Sequence, residues 1–263
     1  MFGELGMKQV LIIPDIHNLQ ESFELTQRYS LGFEYNDFFD PNILDDTEKT
    51  NGLLKEYGKH NLPTYCTMHG AFYDVIPFSK DNRIREVSLE RIEQSIEIAR
   101  NIGARAVVFH TNYNPFLNSD FYLKEWIARN VDLWSMFLEK NTDVSIYLEN
   151  MFETTPDIME HLSEKLCKYK NYGVCLDYAH AAISKTSPSE WAKRLGRFVR
   201  HVHINDNDLI SDLHLAWGSG KIDREKFYLD YENYMKDASV LVETSSIENQ
   251  RASLKMLIAE GFI

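Results

Sequence analysis

The feature of this sequence that most constrains its fold is the way its short apolar runs end. Runs that resemble β-strands stop at a histidine or a carboxylate, as in AVVFH, SIYLE and SVLVE. A strand that buries apolar side chains and then presents a metal-binding group at its carboxyl end indicates a barrel whose mouth holds divalent metal. Nine such side chains follow the runs: His69, His110, Glu149, Asp177, His180, His203, Asp212, His214 and Glu243.

The order of the apolar runs predicts an α/β fold. Eight strand-like runs alternate with segments of helical periodicity, which is typical of a parallel sheet built from βα units. We therefore predict a single (β/α)8 TIM barrel domain over residues 1–263, with a metal site at the carboxyl ends of the strands. An open doubly wound sheet is the alternative, but no glycine-rich phosphate turn follows the first run, where IPDIHN stands. The predicted strands lie in residues 9–15, 32–38, 63–69, 105–111, 145–150, 172–178, 200–206 and 239–245.

Helices between these runs are predicted from apolar residues three or four positions apart and from start signals. Three short motifs fit the first turn of a helix, each with a capping side chain followed by proline, by glutamate or by both. These are Thr155–Pro156, Ser187–Pro188 with Glu190, and Ser245 with Glu248. The periodic apolar positions include Leu89, Ile92, Ile96, Ala99, Trp126, Trp134 and Phe137.

The charge balance bears on the class of partner. With 40 acidic and 28 basic residues the net charge is −12, which repels polyphosphates at long range. We therefore expect a small-molecule substrate, and neither nucleic acid nor membrane as a partner. The three cysteines lack metal or redox spacing, and no apolar run is long enough to cross a membrane. These features predict a cytoplasmic protein.

Four of the nine side chains form the main candidate metal site. Glu149 follows IYL and Glu243 follows VLV, so each leaves at the mouth a carboxylate that costs several kcal/mol if unpaired. With Asp177 and His203 they would converge from four strand ends, and this mixture of oxygen and imidazole suits Zn, Mn or Mg. The alternative is a set of hydrogen-bonded polar groups that closes the barrel top.

Two short motifs add carboxylate and imidazole pairs at the same mouth. In D-x-x-H at 177–180 and D-x-H at 212–214, the two side chains of each pair can reach one point within a tight turn. His201 and His203 share one strand face. His203 lies nearer the mouth and is our predicted ligand, whereas His201 is predicted to be a packing residue.

Taken in order, these motifs resemble a known superfamily. The blocks MHGAFYD, REVSLERIEQSIEIARNIGARAVVFHTNYNP, YLEN, CLDYAHA, HVHINDND, DLHLAWGSGKID and VETS are similar to xylose isomerase-like and endonuclease IV-like barrels (AP endonuclease family 2). They resemble in particular the members called sugar phosphate isomerases/epimerases. The resemblance implies one metal on Glu149, Asp177, His203 and Glu243. For endonuclease IV-like members it implies three zinc ions and five further ligands, which map onto His69, His110, His180, Asp212 and His214.

Two kinds of enzyme follow from this resemblance. A sugar or sugar-phosphate isomerase/epimerase would use Glu149 and Glu243 as base and acid, and His180, His69 and Phe72 would bind the substrate. A zinc-dependent phosphodiesterase or AP endonuclease would use three metals, with Glu149 as a bridge.

The acidic charge and the loop motifs favour the sugar enzyme, and the complete ligand set favours the phosphodiesterase. We rank the isomerase or epimerase first. A barrel that binds a polyol without turnover is a third possibility, but it leaves the two glutamates unexplained.

Overall fold

Eight parallel strands close into a barrel in the computed structural model, which describes residues 8–244 and 246–263. Each strand pairs with its neighbour in sequence, and β1 pairs with β8 to complete the ring. The (β/α)8 prediction is confirmed, and the open sheet is wrong because the ring of described strands is closed. Seven strands lie within their predicted runs, and β7 begins one residue earlier. The strands are β1 Val10–Ile12, β2 Gly32–Tyr35, β3 Cys66–His69, β4 Ala106–His110, β5 Ser145–Glu149, β6 Tyr172–Asp177, β7 Val199–Ile204 and β8 Ser239–Val242.

Helices surround the barrel and cover its outer face. They are α1 Leu19–Tyr29, α2 Pro41–Leu44, α3 Thr47–Tyr57, α4 Asn82–Ile102, α5 Asp120–Lys140, α6 Asp157–Leu166, α7 Tyr178–Ile183, α8 Pro188–Leu195, α9 Arg224–Asp230 and α10 Ile247–Ala259. A π-helical turn, Tyr231–Met235, continues α9. The periodic apolar positions of α4 and α5 face the strands, since all are buried except Leu89, which is partly buried. In the described part of the chain, no helix is both long and apolar enough to cross a membrane.

The start signals of the helices have different outcomes. Ser187 caps α8 as predicted, because its side chain accepts a hydrogen bond from the backbone N–H of Glu190. At α6 the prediction is one residue early, since Pro156 takes the capping position and the Thr155 hydroxyl donates instead to the Asp157 carboxylate. The predicted cap Ser245 lies outside the described residues, and Ser246 caps α10.

Candidate metal centre

The predicted site residues meet at one end of the barrel because all eight strands run in the same direction. Parallel strands place their carboxyl ends at a common rim, called the mouth below. His69, His110, Glu149 and Asp177 are the last residues of β3, β4, β5 and β6. On the next two strands, His203 is the penultimate residue of β7, and Glu243 directly follows β8.

Four of these residues form a compact group, which we name the inner cluster: Glu149, Asp177, His203 and Glu243. One potential ligand atom from each lies within 4.8 Å of the others, and all four residues are buried. Nδ1 of His203 lies 3.5 Å from Oε1 of Glu149 and 3.5 Å from Oε1 of Glu243. Distances of this size suit atoms that share one cation.

The hydrogen bonding of the inner cluster supports that interpretation. Both carboxylate oxygens of Glu149, Oδ2 of Asp177 and Nδ1 of His203 are buried without a hydrogen-bond partner among the described residues. Buried polar atoms are normally paired, and unpaired carboxylates in an apolar barrel are costly. A divalent ion would satisfy these acceptors together, so the residues present fit such an ion.

Two histidines face the second oxygen of Glu149. Nε2 of His69 lies 3.4 Å and Nε2 of His110 lies 3.5 Å from its Oε2, and the three residues form a second group that could hold a metal. His69 Nδ1–H donates to the carbonyl of Gly70 at 2.9 Å, which leaves Nε2 as an acceptor or ligand. We name His69 and His110 the histidine pair. Glu149 therefore lies between the histidine pair and the other members of the inner cluster.

The remaining predicted residues form an outer cluster: His180, Asp212 and His214. Oδ2 of Asp212 lies 3.2 Å from Nε2 of His180 and 3.1 Å from Nε2 of His214. His180 Nδ1–H donates to the Asn150 carbonyl at 2.8 Å, so its Nε2 points toward Asp212. The Asp212 and His214 side chains are 35% and 40% exposed, unlike the inner cluster.

A long loop carries two members of the outer cluster, and Asp206 organises it. The Asp206 carboxylate accepts hydrogen bonds from the backbone N–H groups of Gly218 and Ile222, each at 3.0 Å. The backbone of Asp206 also pairs with Leu215 as an antiparallel bridge. A side chain at Gly220 would lie 2.3 Å from the Asn207 carbonyl, so only glycine fits this close turn. Asp206 was not among the predicted site residues.

The pKa values of two carboxyl groups of the inner cluster shift in opposite directions. Burial by itself raises the pKa of Glu149, but the imidazoles of His203, His110 and His69 outweigh it and hold that pKa well below its ordinary range. Burial raises the pKa of Asp177 to about 8, and the Glu243 and Glu149 carboxylates add to this rise. Two neighbouring carboxylates with such different pKa values are typical of acid–base and metal sites.

A cavity of about 280 Å³ opens above the clusters. Phe72 lines it, with its ring centroid 5.2 Å from that of His69 and 5.1 Å from that of His110. Among the described residues, no lysine or arginine lines this cavity. The cavity is lined by Ile13, Asn36, Phe39, His69, Phe72, His110, Met151, His180, Asp212, His214 and Glu243.

Below the inner cluster lies Glu34, a buried carboxylate that the sequence analysis missed. No apolar run ends at Glu34, because the residue lies in the middle of β2, between Phe33 and Tyr35. His201, predicted to be a packing residue, is fully buried and contacts Glu34 and Ser239 through its two ring nitrogens.

Comparison with known proteins identifies the family. A family model described as a xylose isomerase-like TIM barrel matches residues 25–259, so the chain belongs to that family. An uncharacterised protein of Methanocaldococcus jannaschii is 29% identical over 201 residues, which cover 72% of this chain and 68% of the relative. A probable endonuclease 4 of Mycobacterium leprae is 31% identical over 183 residues, which cover 62% of this chain and 66% of the relative.

Solved structures show the same fold at low identity. A Thermus thermophilus protein soaked with zinc chloride superposes with a TM-score of 0.79 at 22% identity, covering 97% of this chain and 98% of its own. A D-tagatose 3-epimerase-like protein gives a TM-score of 0.77 at 23% identity, covering 96% of both chains.

Proposed function

We propose that this xylose isomerase-like barrel is a divalent-metal-dependent isomerase or epimerase that moves a proton at the carbon next to the carbonyl of a sugar or sugar phosphate. The placement of two glutamates supports this most strongly. Glu149 at the end of β5 and Glu243 after β8 approach Nδ1 of His203 from separate strands, each at 3.5 Å. Two carboxylates that flank one point can serve one substrate as base and as acid.

In this proposal the inner cluster holds the ion and also carries the proton chemistry. Glu149, Asp177, His203 and Glu243 would hold the metal. When bound, the ion would polarise neighbouring carbonyl and hydroxyl oxygens and so acidify the C–H bond between them. Glu149 and Glu243 take the proton from one carbon and return one to the substrate. Glu149 is fully buried, and Glu243 lies at the wall of the cavity with little exposure, which limits the access of water to both carboxylates.

The cavity supports a small polar substrate. His69 and His180 would bind sugar hydroxyls, and Phe72 would cover the apolar face of the carbon chain. A sugar phosphate needs a cation or backbone N–H groups for its phosphate. Because no described lysine or arginine lines the cavity, its composition favours an uncharged sugar within the broader class.

A zinc-dependent phosphodiesterase of the endonuclease IV type is the second candidate. The position of Glu149 favours it, because one oxygen faces the histidine pair and the other faces His203, as a carboxylate that bridges two metals would do. The outer cluster could hold a third ion. Duplex DNA, however, is bound through many phosphate contacts from lysine and arginine. The described lining of the cavity offers none, and the chain carries a net charge of −12.

One experiment separates the two candidates. Wild-type protein loaded with Mn²⁺ or Zn²⁺ is incubated in deuterated water with a panel of ketoses and ketose phosphates, and label uptake at carbon is followed by NMR. In parallel, duplex DNA with an abasic site is tested for binding and incision at physiological salt. We expect metal-dependent label uptake from at least one sugar, and weak DNA binding. Incision of the DNA at a catalytic rate without label uptake would reverse the ranking.

A further inference from the structure

Glu34 lies inside the barrel, one layer below the inner cluster, and is fully buried. Its β2 position is directly opposite Thr67 on β3. Burial disfavours an unpaired carboxylate, so the partners of Glu34 must stabilise its charge. Oε2 accepts a hydrogen bond from the Thr67 hydroxyl at 2.7 Å and lies 3.1 Å from Nε2 of His201.

The second oxygen of Glu34 faces a residue of the inner cluster. Oε1 lies 3.1 Å from Nε2 of His203, and both atoms are buried without a hydrogen-bond partner elsewhere or in ideal geometry among the described residues. The opposite ring nitrogen, Nδ1, faces Glu149 and Glu243. The His203 ring therefore stands between Glu34 on one side and the inner cluster on the other.

The geometry has a chemical consequence for the ring. An imidazole binds a metal through a nitrogen that carries no proton, and its other nitrogen usually donates to a carboxylate or carbonyl. Such a partner fixes both the tautomer and the ring orientation. We propose that Glu34 is a positioning residue that holds the proton of His203 on Nε2 and so presents Nδ1 to the metal, an inference that rests on the metal site proposed above.

The surrounding contacts keep Glu34 oriented for this role. Thr67 and His201 both engage Oε2, which turns Oε1 toward His203. His201 is itself held by Ser239, whose hydroxyl lies 2.7 Å from Nδ1 of the ring. The chain of contacts thus extends across the barrel from β8 through β7 to β2 and β3, and ends at the metal ligand.

The test compares Glu34→Gln with Ser239→Ala. Glutamine keeps the volume of the side chain but lacks the charge, whereas the serine variant removes a buried hydrogen bond of the same network at a distance from His203. Binding of Mn²⁺ alone is measured by calorimetry, and circular dichroism monitors the fold. We expect E34Q to bind the ion about 10–100-fold more weakly, the usual effect of losing such a partner. S239A, which removes a contact two steps beyond Glu34 in the same network, should weaken binding less than E34Q does. A merely structural role would affect both variants alike.

A second measurement gives its main result on wild-type protein, which does not depend on the variant folding. In wild-type protein with isotope-labelled histidine, the Nε2–H proton of His203 should resonate far downfield because it is shared with a carboxylate, both in the metal-free protein and with the diamagnetic ion Zn²⁺ bound. In E34Q this resonance should move upfield. Equal Mn²⁺ affinity in E34Q and wild type, or a metal-loaded His203 with its proton on Nδ1, overturns the role of Glu34. Absence of Mn²⁺ binding by wild type would contradict the metal site instead, and the proton resonance would still decide whether Glu34 holds the ring.

Discussion

The inner and outer clusters lie at the same mouth but are built differently. The inner cluster stands on or directly after strands, is buried, and contains unpaired acceptor atoms that face one another. In the outer cluster, Asp212 and His214 lie on a loop, are about one-third exposed or more, and contact each other directly. Strands of a closed barrel hold side chains in place even when these repel one another. The loop instead allows Asp212 and His214 to pair with each other, so the polar atoms of the outer cluster have partners without a metal.

The largest effect should follow from neutralising the two glutamates of the inner cluster. Glu149→Gln and Glu243→Gln keep the side-chain volume, but a neutral amide neither accepts the proton nor balances the charge of the ion. We expect each substitution to lower the rate of proton exchange about 10²–10⁴-fold, measured as label uptake from deuterated water. The matched outer variant, Asp212→Asn, should retain most of the rate and change mainly KM. Equal losses in all three variants would mean that the two clusters act as one unit.

Removal of the metal tests the inner cluster through stability. Without an ion its carboxylates crowd one another, and an ion that binds only the folded state stabilises it. At an ion concentration about 100 times Kd, the expected gain is about 2.7 kcal/mol, and therefore about 5–10 °C in Tm for a chain of this size. Calorimetric scans with chelator and with added Mn²⁺ measure this difference. The variant Asp177→Asn should show a much smaller shift. Equal Tm values with chelator and with Mn²⁺, in wild-type protein that elemental analysis shows to be free of metal after chelation, would contradict the site.

The number of metal ions bound per chain tests whether the inner cluster alone binds metal tightly. We expect one tightly bound ion per chain, on the inner cluster, when the protein is dialysed against low concentrations of Zn²⁺ and analysed for elements. His110→Ala, which removes one member of the histidine pair, should leave that ion in place. Two or three chelator-resistant ions per wild-type chain, reduced by His110→Ala, would instead favour the phosphodiesterase.

A smaller effect is expected where Asp206 anchors the loop of the outer cluster. Asp206→Ala leaves three backbone N–H groups, those of Asn207, Gly218 and Ile222, without their acceptor and should lower the free energy of unfolding by about 1–3 kcal/mol. Asp208→Ala is the matched control, since its carboxylate accepts from Ile210 and Ser211 within its own tight turn. Denaturant titration gives the two values, and Mn²⁺ titration should show unchanged affinity in both. Loss of Mn²⁺ binding in D206A would show that the loop also supports the inner cluster.

Sequence reasoning was most successful where the signal is local. Each strand is marked by a few apolar residues and by the polar residue that stops it, so the strand ends carrying Glu149 and His203 could be predicted directly. Glu34 could not, because its partners Thr67 and His201 lie 33 and 167 residues away along the chain. Asp206 was missed for a related reason. Its side chain binds backbone N–H groups, which every residue except proline has, so the sequence does not single them out.

The sequence by itself determined the barrel and the chemical kind of the groups at its mouth. Apolar runs with a parallel βα order can bury their side chains in few ways, and the residue at each strand end is then delivered to the same rim. Only the tertiary structure decided which atoms face each other: the two oxygens of Glu149 toward different histidines, and the two nitrogens of His203 toward Glu34 and the inner cluster. These pairings depend on the closure of the barrel, which sets strand register and side-chain direction across the whole ring and is encoded in no single segment.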